Sequence, residues 1–567
     1  MTTTSPVGAP GEQSRRSSLV VVASLTLAAV LAWAWPLLMT PEALFWDDWV
    51  VAGSDTIAWA RELGLPWLAY IHGALFTLGP WSFKVLAIVA TVTIGWLVYL
   101  IGDRGLGLNR GERWLLALLV VALPVYSTRI IAILSTYNWS LALFMLGWWL
   151  LVRRDPADPG RARFIAAALL LFASYTTASL LPFTVLPVAH LALLAVPRDV
   201  PLWRGALRFA GRFWYLLAAP IVFWVLRSLF LKPFGLYAGY NAIGQGINSV
   251  VSLSAVALIG ALLIATGAFL YWLLARRPGP ARRDALATAL LSATVGSLSA
   301  FLYVTRVSTG WSARVVPLAL AVAAVALLAS AVVRLVRGGE QRASVTPVLA
   351  VGVGALVIAL VPYLLVGKIP SFAGWETRHQ LLMPFGIATI AVATVRAWRP
   401  LVPRALVRVV SVLVVAGMVA VSAVISLTLV ADWKKQAQLI ALLKDEPAVR
   451  AAGTVVFHDL APQLNYDGRI YDFYEYNGWM LNAYGDEKRF GMDISALPGF
   501  LAGANEPIYT VGSRYRFTQW TPTDRGVLVT IEPVEGATWW SLLLDQPSVT
   551  ISVSADGDLA DLPIPVP

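Results

Sequence analysis

The sequence predicts a polytopic α-helical membrane protein, with about thirteen crossings and a small C-terminal extracytoplasmic domain, α/β or β-rich. Three observations predict it. Hydrophobic residues make up 58% of the 567-residue chain and charged residues 13%, against about 25% charged in a typical soluble protein. Apolar stretches long enough to cross a hydrocarbon core recur along the first three quarters of the chain. Beyond residue 430 that pattern stops, acidic residues outnumber basic ones, and short alternating runs take over.

The apolar stretches lie near 19–39, 81–101, 114–126, 137–152, 164–176, 181–197, 213–230, 249–274, 285–305, 313–333, 345–365, 380–396 and 409–430. The first continues into "WPLLMTPEALFW" with no small-residue cleavage site, so it reads as a span and not as a signal peptide. Residues 66–79 are apolar but too short to span, and read as an interfacial segment. Residues 164–197 are too long for one helix across the bilayer, and "SYTTAS" supplies a turn between two short crossings.

Arginine and lysine set the orientation. The alternate loops beginning with Arg15 and Arg16, then Arg104, Arg110 and Arg113, and ending with Arg396 to Arg408 hold most of the basic residues, and mark the cytoplasmic side. The opposite loops hold Arg61, Lys84, Arg129, Arg227, Lys232, Arg306, Arg314, Lys368 and Arg378. The organisation that follows is a disordered cytoplasmic tail (1–18), a transmembrane module (19–430) with a first outer loop at 40–80, and an extracytoplasmic domain (431–567). The protein is expected in the plasma membrane, multi-pass, with its N-terminus cytoplasmic. The net charge of +11 is accounted for by this orientation, so no nucleic-acid partner is expected. In the tail, 454–457, 508–517, 526–534 and 548–554 read as strands. The aromatic stretch 471–485 reads as a helix or a loop.

Cysteine is absent, and there are four histidines. Disulfides and thiolate metal sites are thereby excluded, and a His-rich metal centre is disfavoured. "GLGLNRG" at 105–111 follows no strand and is not a dinucleotide site; no P-loop motif occurs. His190 falls inside a span and reads as structural.

The chemistry-bearing stretch is "FWDDWVVAGSD" at 45–55. Asp47 and Asp48 sit between Trp46 and Trp49 at the outer lip of the first span. The residues after them alternate at helical spacing as far as Gly64 and Pro66, which predicts an amphipathic helix on the membrane surface. One reading makes Asp48 its N-cap and Asp47 a helix-dipole partner. The other makes one carboxylate a general base. Adjacent residues point different ways, so the two readings coexist.

This arrangement, a first span leading to an outer acidic pair and then an interfacial helix, resembles the GT-C superfamily of integral membrane glycosyltransferases, which use sugars carried on polyprenyl phosphate. The resemblance covers about residues 1–430 and is mainly one of layout. It implies transfer of a sugar from a polyprenyl-phosphate donor to an acceptor hydroxyl of a glycan, lipid or protein, with inversion. A first-loop aspartate would be the base, Asp47 or Asp48, with Asp48 favoured. Membrane lipids are the other expected partners. No cofactor is firmly implied. Some branches bind a divalent cation, for which Asp47, Asp48 and Glu376 offer oxygens.

Such a reaction needs cations for the departing phosphate. Arg378 and His379 in "GWETRHQLL", with Lys368, Arg306, Arg129 and Lys232, are the candidates, and Arg378 can grip a phosphate bidentately. Headgroup contact and snorkelling are the plain alternative for each. Trp46, Trp49, Trp375, Tyr237 and Glu376 are candidate substrate contacts, since sugars stack on aromatic faces; an interfacial aromatic belt is the plain alternative. Two other readings compete. An O-antigen ligase or polymerase would rely on Arg378 and His379 and need no first-loop acidic pair. A transporter would place ionisable groups near the midplane, where this chain has few.

Overall fold

A computed structural model describes residues 10–53, 56–104, 106–154, 160–196, 202–239, 345–364, 374–399, 402–503 and 523–562, with a few isolated positions. The predicted crossings at 249–274, 285–305 and 313–333, the predicted strand at 508–517, and Arg306 lie outside the described residues.

The chain is mostly helical, with several apolar helices. In chain order they are α1 (Pro10–Leu38), α2 (Asp48–Gly53), α3 (Thr56–Glu62), α4 (Trp67–Leu78), α5 (Trp81–Ile101), α6 (Arg110–Ala122) and α7 (Ser135–Val152). There follow α8 (Arg161–Ser174), α9 (Leu180–Phe183), α10 (Val185–Ala195), α11 (Leu202–Phe230), α12 (Thr346–Leu364), α13 (Met383–Trp398) and α14 (Arg404–Lys444). Every predicted crossing within the described residues falls on one or two of these helices.

Ten of the thirteen predicted crossings fall within the described residues. Among the described residues, 4 helices are long and apolar enough to cross a membrane: the apolar part of α1, then α5, α11 and α14. A fifth is α6 with the turn Pro124–Ile130, bent by 56°. The other apolar segments are interrupted. Residues 180–195 break between α9 and α10, with Pro182 and Pro187 near the break. The 14 residues of α8 reach only about 21 Å at 1.5 Å per residue.

Three further differences concern boundaries. The N-terminal helix begins at Pro10, inside the stretch predicted to be disordered. The predicted surface helix of the first loop is two short helices, α2 and α3, on either side of residues 54–55. It ends where predicted, at Gly64, whose φ of 73° suits glycine. The predicted boundary at 430 falls within α14, which runs on unbroken to Lys444.

Helices α1, α5, α6, α7, α13 and α14 pack on one another around a continuous apolar core. At one end of this bundle buried Glu112 caps α6 in a box with Asn109 and pairs with Arg396 and Arg399. Arg396, counted for orientation, is thus also a structural cation. His190 accepts from Trp148 Nε1 at 3.1 Å and meets the Arg104 carbonyl at 2.8 Å, as a satisfied core histidine does.

Past α14 come α15 (Pro447–Ala451), β1 (Thr454–Asp459), α16 (Phe473–Tyr484), β2 (Phe490–Asp493), α17 (Leu497–Leu501), β3 (Arg525–Pro533), α18 (Trp539–Leu543), β4 (Val549–Val553) and β5 (Gly557–Asp558). The sheet order is β2-β1-β3-β4, with β5 on β3. The β1 pairings are parallel and β3–β4 is antiparallel, so the unit is mixed α/β. The aromatic stretch resolves as helix α16. Asp472 and Glu475 form a capping box at its start, and Gly485 ends it in the left-handed conformation. It lies on the sheet, Tyr476 stacking on Phe457 at 4.4 Å.

Candidate functional site

The end of the bundle opposite Glu112 gathers the first loop, the turn Pro124–Ile130, the turn Trp375–Gln380 and the start of the α/β unit. The two aspartates of the first loop have different fates there. Asp48 is 1% exposed. Its Oδ2 accepts from the Phe45 and Ala132 main-chain N–H groups at 3.2 Å each, and its Oδ1 accepts from Ile133 N–H at 2.8 Å. Burial drives its pKa up to about 7; the three N–H donors and Lys84 act against that rise. The Lys84 amine meanwhile donates to the Thr40 and Pro41 carbonyls. Asp48 therefore ties the first loop to the start of α7, and its oxygens are taken.

Asp47 is half-buried on the other side of the turn. Its charge acts on Asp472 and on Tyr474, whose hydroxyl donates to Asp472 Oδ2 at 2.8 Å. Burial raises the Asp472 carboxyl above the usual range, and Asp47 adds to the rise. Asp47 thus acts electrostatically on Asp472, while Asp48 is held by main-chain N–H groups.

An ionic core lies beneath them. The Arg469 guanidinium binds Glu475 through two nitrogens at 2.7 and 2.8 Å, and Asp432 at 2.9 and 3.2 Å. Both carboxylates are fully buried, and two-sided forks of this kind fix geometry as well as charge. Glu475 also accepts from Trp46 N–H at 3.2 Å. That bond helps hold Trp46 at φ 47°, a left-handed conformation costly for an aromatic residue. Beside this core Lys435 donates to Asp459, Asn465 and the Ala461 carbonyl.

Trp46 stacks on Trp375 at 5.2 Å with 21° between planes. The Arg469 guanidinium lies 4.3 Å from the Trp46 ring and that of Arg378 4.4 Å from Trp375. Glu376 binds Arg378 at 3.2 Å and meets His379 Nδ1 at 2.7 Å. Burial alone would raise the Glu376 pKa, but His379 and Arg378 bring it down to about 2. Burial lowers the pKa of His379. Lys368 is close enough to act electrostatically on both. Thr377 hydrogen-bonds Ser127 and Thr128 at 3.1 and 3.0 Å, joining this turn to the one that carries Arg129.

Arg129 is buried, with its guanidinium 4.0 Å from the Trp33 ring. Among the described residues no carboxylate lies within ion-pair distance of it. It lines a cavity of about 30 Å³ with Tyr126, Asn138 and Thr91, whose other walls are apolar side chains such as Leu381 and Phe385.

The remaining sequence candidates fall elsewhere. Trp49 is buried under α16, donating to Gln436 at 3.1 Å and stacking near Trp433. Its ring fills the space where a Cβ on Gly478 would sit. Tyr237 is buried against α3 and accepts from Trp59 Nε1 at 2.9 Å. Lys232 is exposed on that same loop, away from the contacts described above. Each of the Trp46 and Trp375 rings is engaged by a neighbour, which makes them framework and not open sugar platforms. Among the described residues no three His, Asp or Glu side chains are placed to hold a metal ion. Asp47, Asp48 and Glu376 do not form a cation cage, since Asp48 is bound by main-chain N–H groups and Glu376 by Arg378 and His379.

Sequence reasoning missed Asp432, Arg469, Asp472 and Glu475. The D-x-x-E box at 472–475 is a legible helix start, but nothing local marks Arg469 as its partner.

No family model matches the chain, and no curated protein matches it. Among solved structures it is similar to the crystal structure of ArnT from Cupriavidus metallidurans bound to undecaprenyl phosphate, at 12% identity over 93% of this chain and 97% of that one. The TM-score is 0.28, too low for that likeness to carry an argument about chemistry.

Proposed function

We propose that this chain is a membrane glycosyltransferase of the GT-C kind. It transfers a sugar from a polyprenyl-phosphate donor to an acceptor hydroxyl at the outer face, with inversion. What supports this reading is that Asp47, Asp472, Arg378 and Arg129 are carried to one end of the bundle by segments distant in sequence, and that among the described residues Arg129 has no carboxylate at ion-pair distance.

Asp47 takes the acceptor hydroxyl proton. The oxygen attacks the anomeric carbon from the face opposite the lipid phosphate, and the carbon–oxygen bond to that phosphate breaks with its electron pair on the leaving group. Arg129 meets the charge that develops there, since a buried guanidinium without a carboxylate favours an anion strongly. Arg378 and His379 border the site, but Glu376 already offsets their charge. Lys368 is a further cation at the same rim. Asp472 is a second carboxyl positioned to share the proton. Asp48 is a positioning residue that fixes the loop.

The test is transfer from a panel of polyprenyl-phosphate sugars by the purified protein in lipid nanodiscs. Asp47→Asn should lower turnover by about 10²–10⁴-fold, the usual scale for a general base, and Arg129→Gln should also lower it. Unchanged turnover in Asp47→Asn, with loss in Arg378→Ala and His379→Ala, would favour a ligase-type reaction instead.

A further inference from the structure

The α/β unit carries an exposed apolar corner that the sugar chemistry does not use. Helix α18 stacks Trp539 on Trp540 at 4.1 Å. Trp540 is 55% exposed and Leu544, just after the helix, 68%. We propose that this corner is a membrane contact, seated in the headgroup region of the leaflet from which α14 emerges.

The position of α18 on α14 argues for it. Residues 409–431 of α14 carry no charge, a length of about 34 Å that fits one crossing. The exposed stripe of that crossing includes Leu413 and Val424. At 100° per residue, Gln438 lies within about 40° of Val424 and about 20° of Leu413. The lipid-facing stripe therefore continues upward into Gln438, with Lys434 one turn below it. These are the residues that hold the α18 segment. The Lys434 amine donates to the Leu543 carbonyl at 3.0 Å and to Asp545 at 2.7 Å. Gln438 donates to the Gln546 carbonyl at 2.8 Å and accepts from Ser548 N–H at 3.0 Å.

Two consequences follow. The segment overhangs the side of α14 that faces lipid. It also climbs away from the bilayer from 543 to 548, so the end nearer α18 is the lower one. Lys434 is about 5 Å beyond the uncharged run, at headgroup depth, where tryptophan is favoured. An amphipathic element lying on the surface binds through buried apolar area, and this one adds a second foothold that fixes the α/β unit against the membrane. The proposal requires only that α14 cross the bilayer; it does not depend on the catalytic assignment.

The chain has no cysteine, so single spin labels can be introduced directly. Trp540→Cys and Leu544→Cys are exposed positions whose replacement leaves the core untouched. Thr550→Cys, exposed on β4, is the water-facing reference. In nanodiscs, labels at 540 and 544 should collide more with oxygen than with a water-soluble nickel chelate, and the ratio should invert at 550. Equal nickel access at all three positions would overturn the proposal. So would a nickel-accessible label at 540 that becomes protected on adding soluble oligosaccharide, which would make the corner a sugar platform.

Discussion

Trp46 stacks on Trp375 with 5.2 Å between ring centroids, and the two rings join parts of the chain with no sequence proximity. Arg469 on the first ring and Arg378 near the second extend the contact into a chain of cation and aromatic groups. The first loop, the Glu376 turn and the α/β unit are held together by it. These rings bring the segment that carries Asp47 next to the one that carries Arg378.

The two aspartates of the first loop should separate by stability. Asp48→Ala strands three buried main-chain N–H groups, at about 1–3 kcal/mol each. It should lower the thermal midpoint in detergent markedly. Asp47→Ala, at a half-buried position without three stranded N–H donors, should cost clearly less stability than Asp48→Ala while removing activity. The reverse pattern would exchange their roles.

Asp48 also makes a pH prediction. Burial pushes its carboxyl from the ordinary value of 3.8 up to about 7 in the fold. Between those values the folded state binds more protons than the unfolded one. Stability from this group is therefore fully present below about pH 4 and falls as pH rises through about 7. The wild type should lose thermal stability across that window more steeply than Asp48→Asn. Equal slopes for the two proteins would refute the assignment.

Gly478→Ala tests how tightly the α/β unit clamps the first loop. An added Cβ would meet the Trp49 ring at 2.4 Å. Overpacking of this kind costs about 1–3 kcal/mol, more than the roughly 1 kcal/mol that alanine gains in a helix. The variant should be less stable and less active, and a Trp49→Leu partner should restore part of both. Wild-type behaviour in the single variant would mean the clamp yields freely.

Arg469→Leu leaves Asp432 and Glu475 buried without the guanidinium that pairs both, a loss of about 3–5 kcal/mol. Adding Asp432→Asn and Glu475→Gln should recover much of it, because the penalty comes from stranded charge. Denaturation of the single and triple variants decides the point; no recovery would mean that Arg469 acts through packing alone.

How much of this was legible beforehand depends on the range of the interaction. Asp47 and Asp48 stood out because they end an apolar run. The strands at 454–457, 526–534 and 548–554 stood out by alternation, and the apolar helices by hydropathy. All of these are properties of neighbouring residues. Local pattern could not say which aspartate would be consumed: a one-residue step reverses the side-chain direction, and only the arrival of the Ala132 and Ile133 N–H groups decides it. Nor could it foresee that Trp49 lies under Gly478, or that Trp46 and Trp375 cover each other.

The sequence by itself determined an apolar helical chain, a mixed C-terminal unit and an acidic pair at the end of the first helix, since hydrophobic periodicity and turn chemistry act over a few residues. Tertiary structure alone decided that Asp48 is bound by main-chain N–H groups, that Asp47 comes within electrostatic reach of Asp472, and that among the described residues Arg469 is buried with carboxylates and Arg129 without one. Those outcomes depend on which distant groups meet in a low-dielectric interior, where an unmatched charge or hydrogen-bond donor costs more than any local preference supplies.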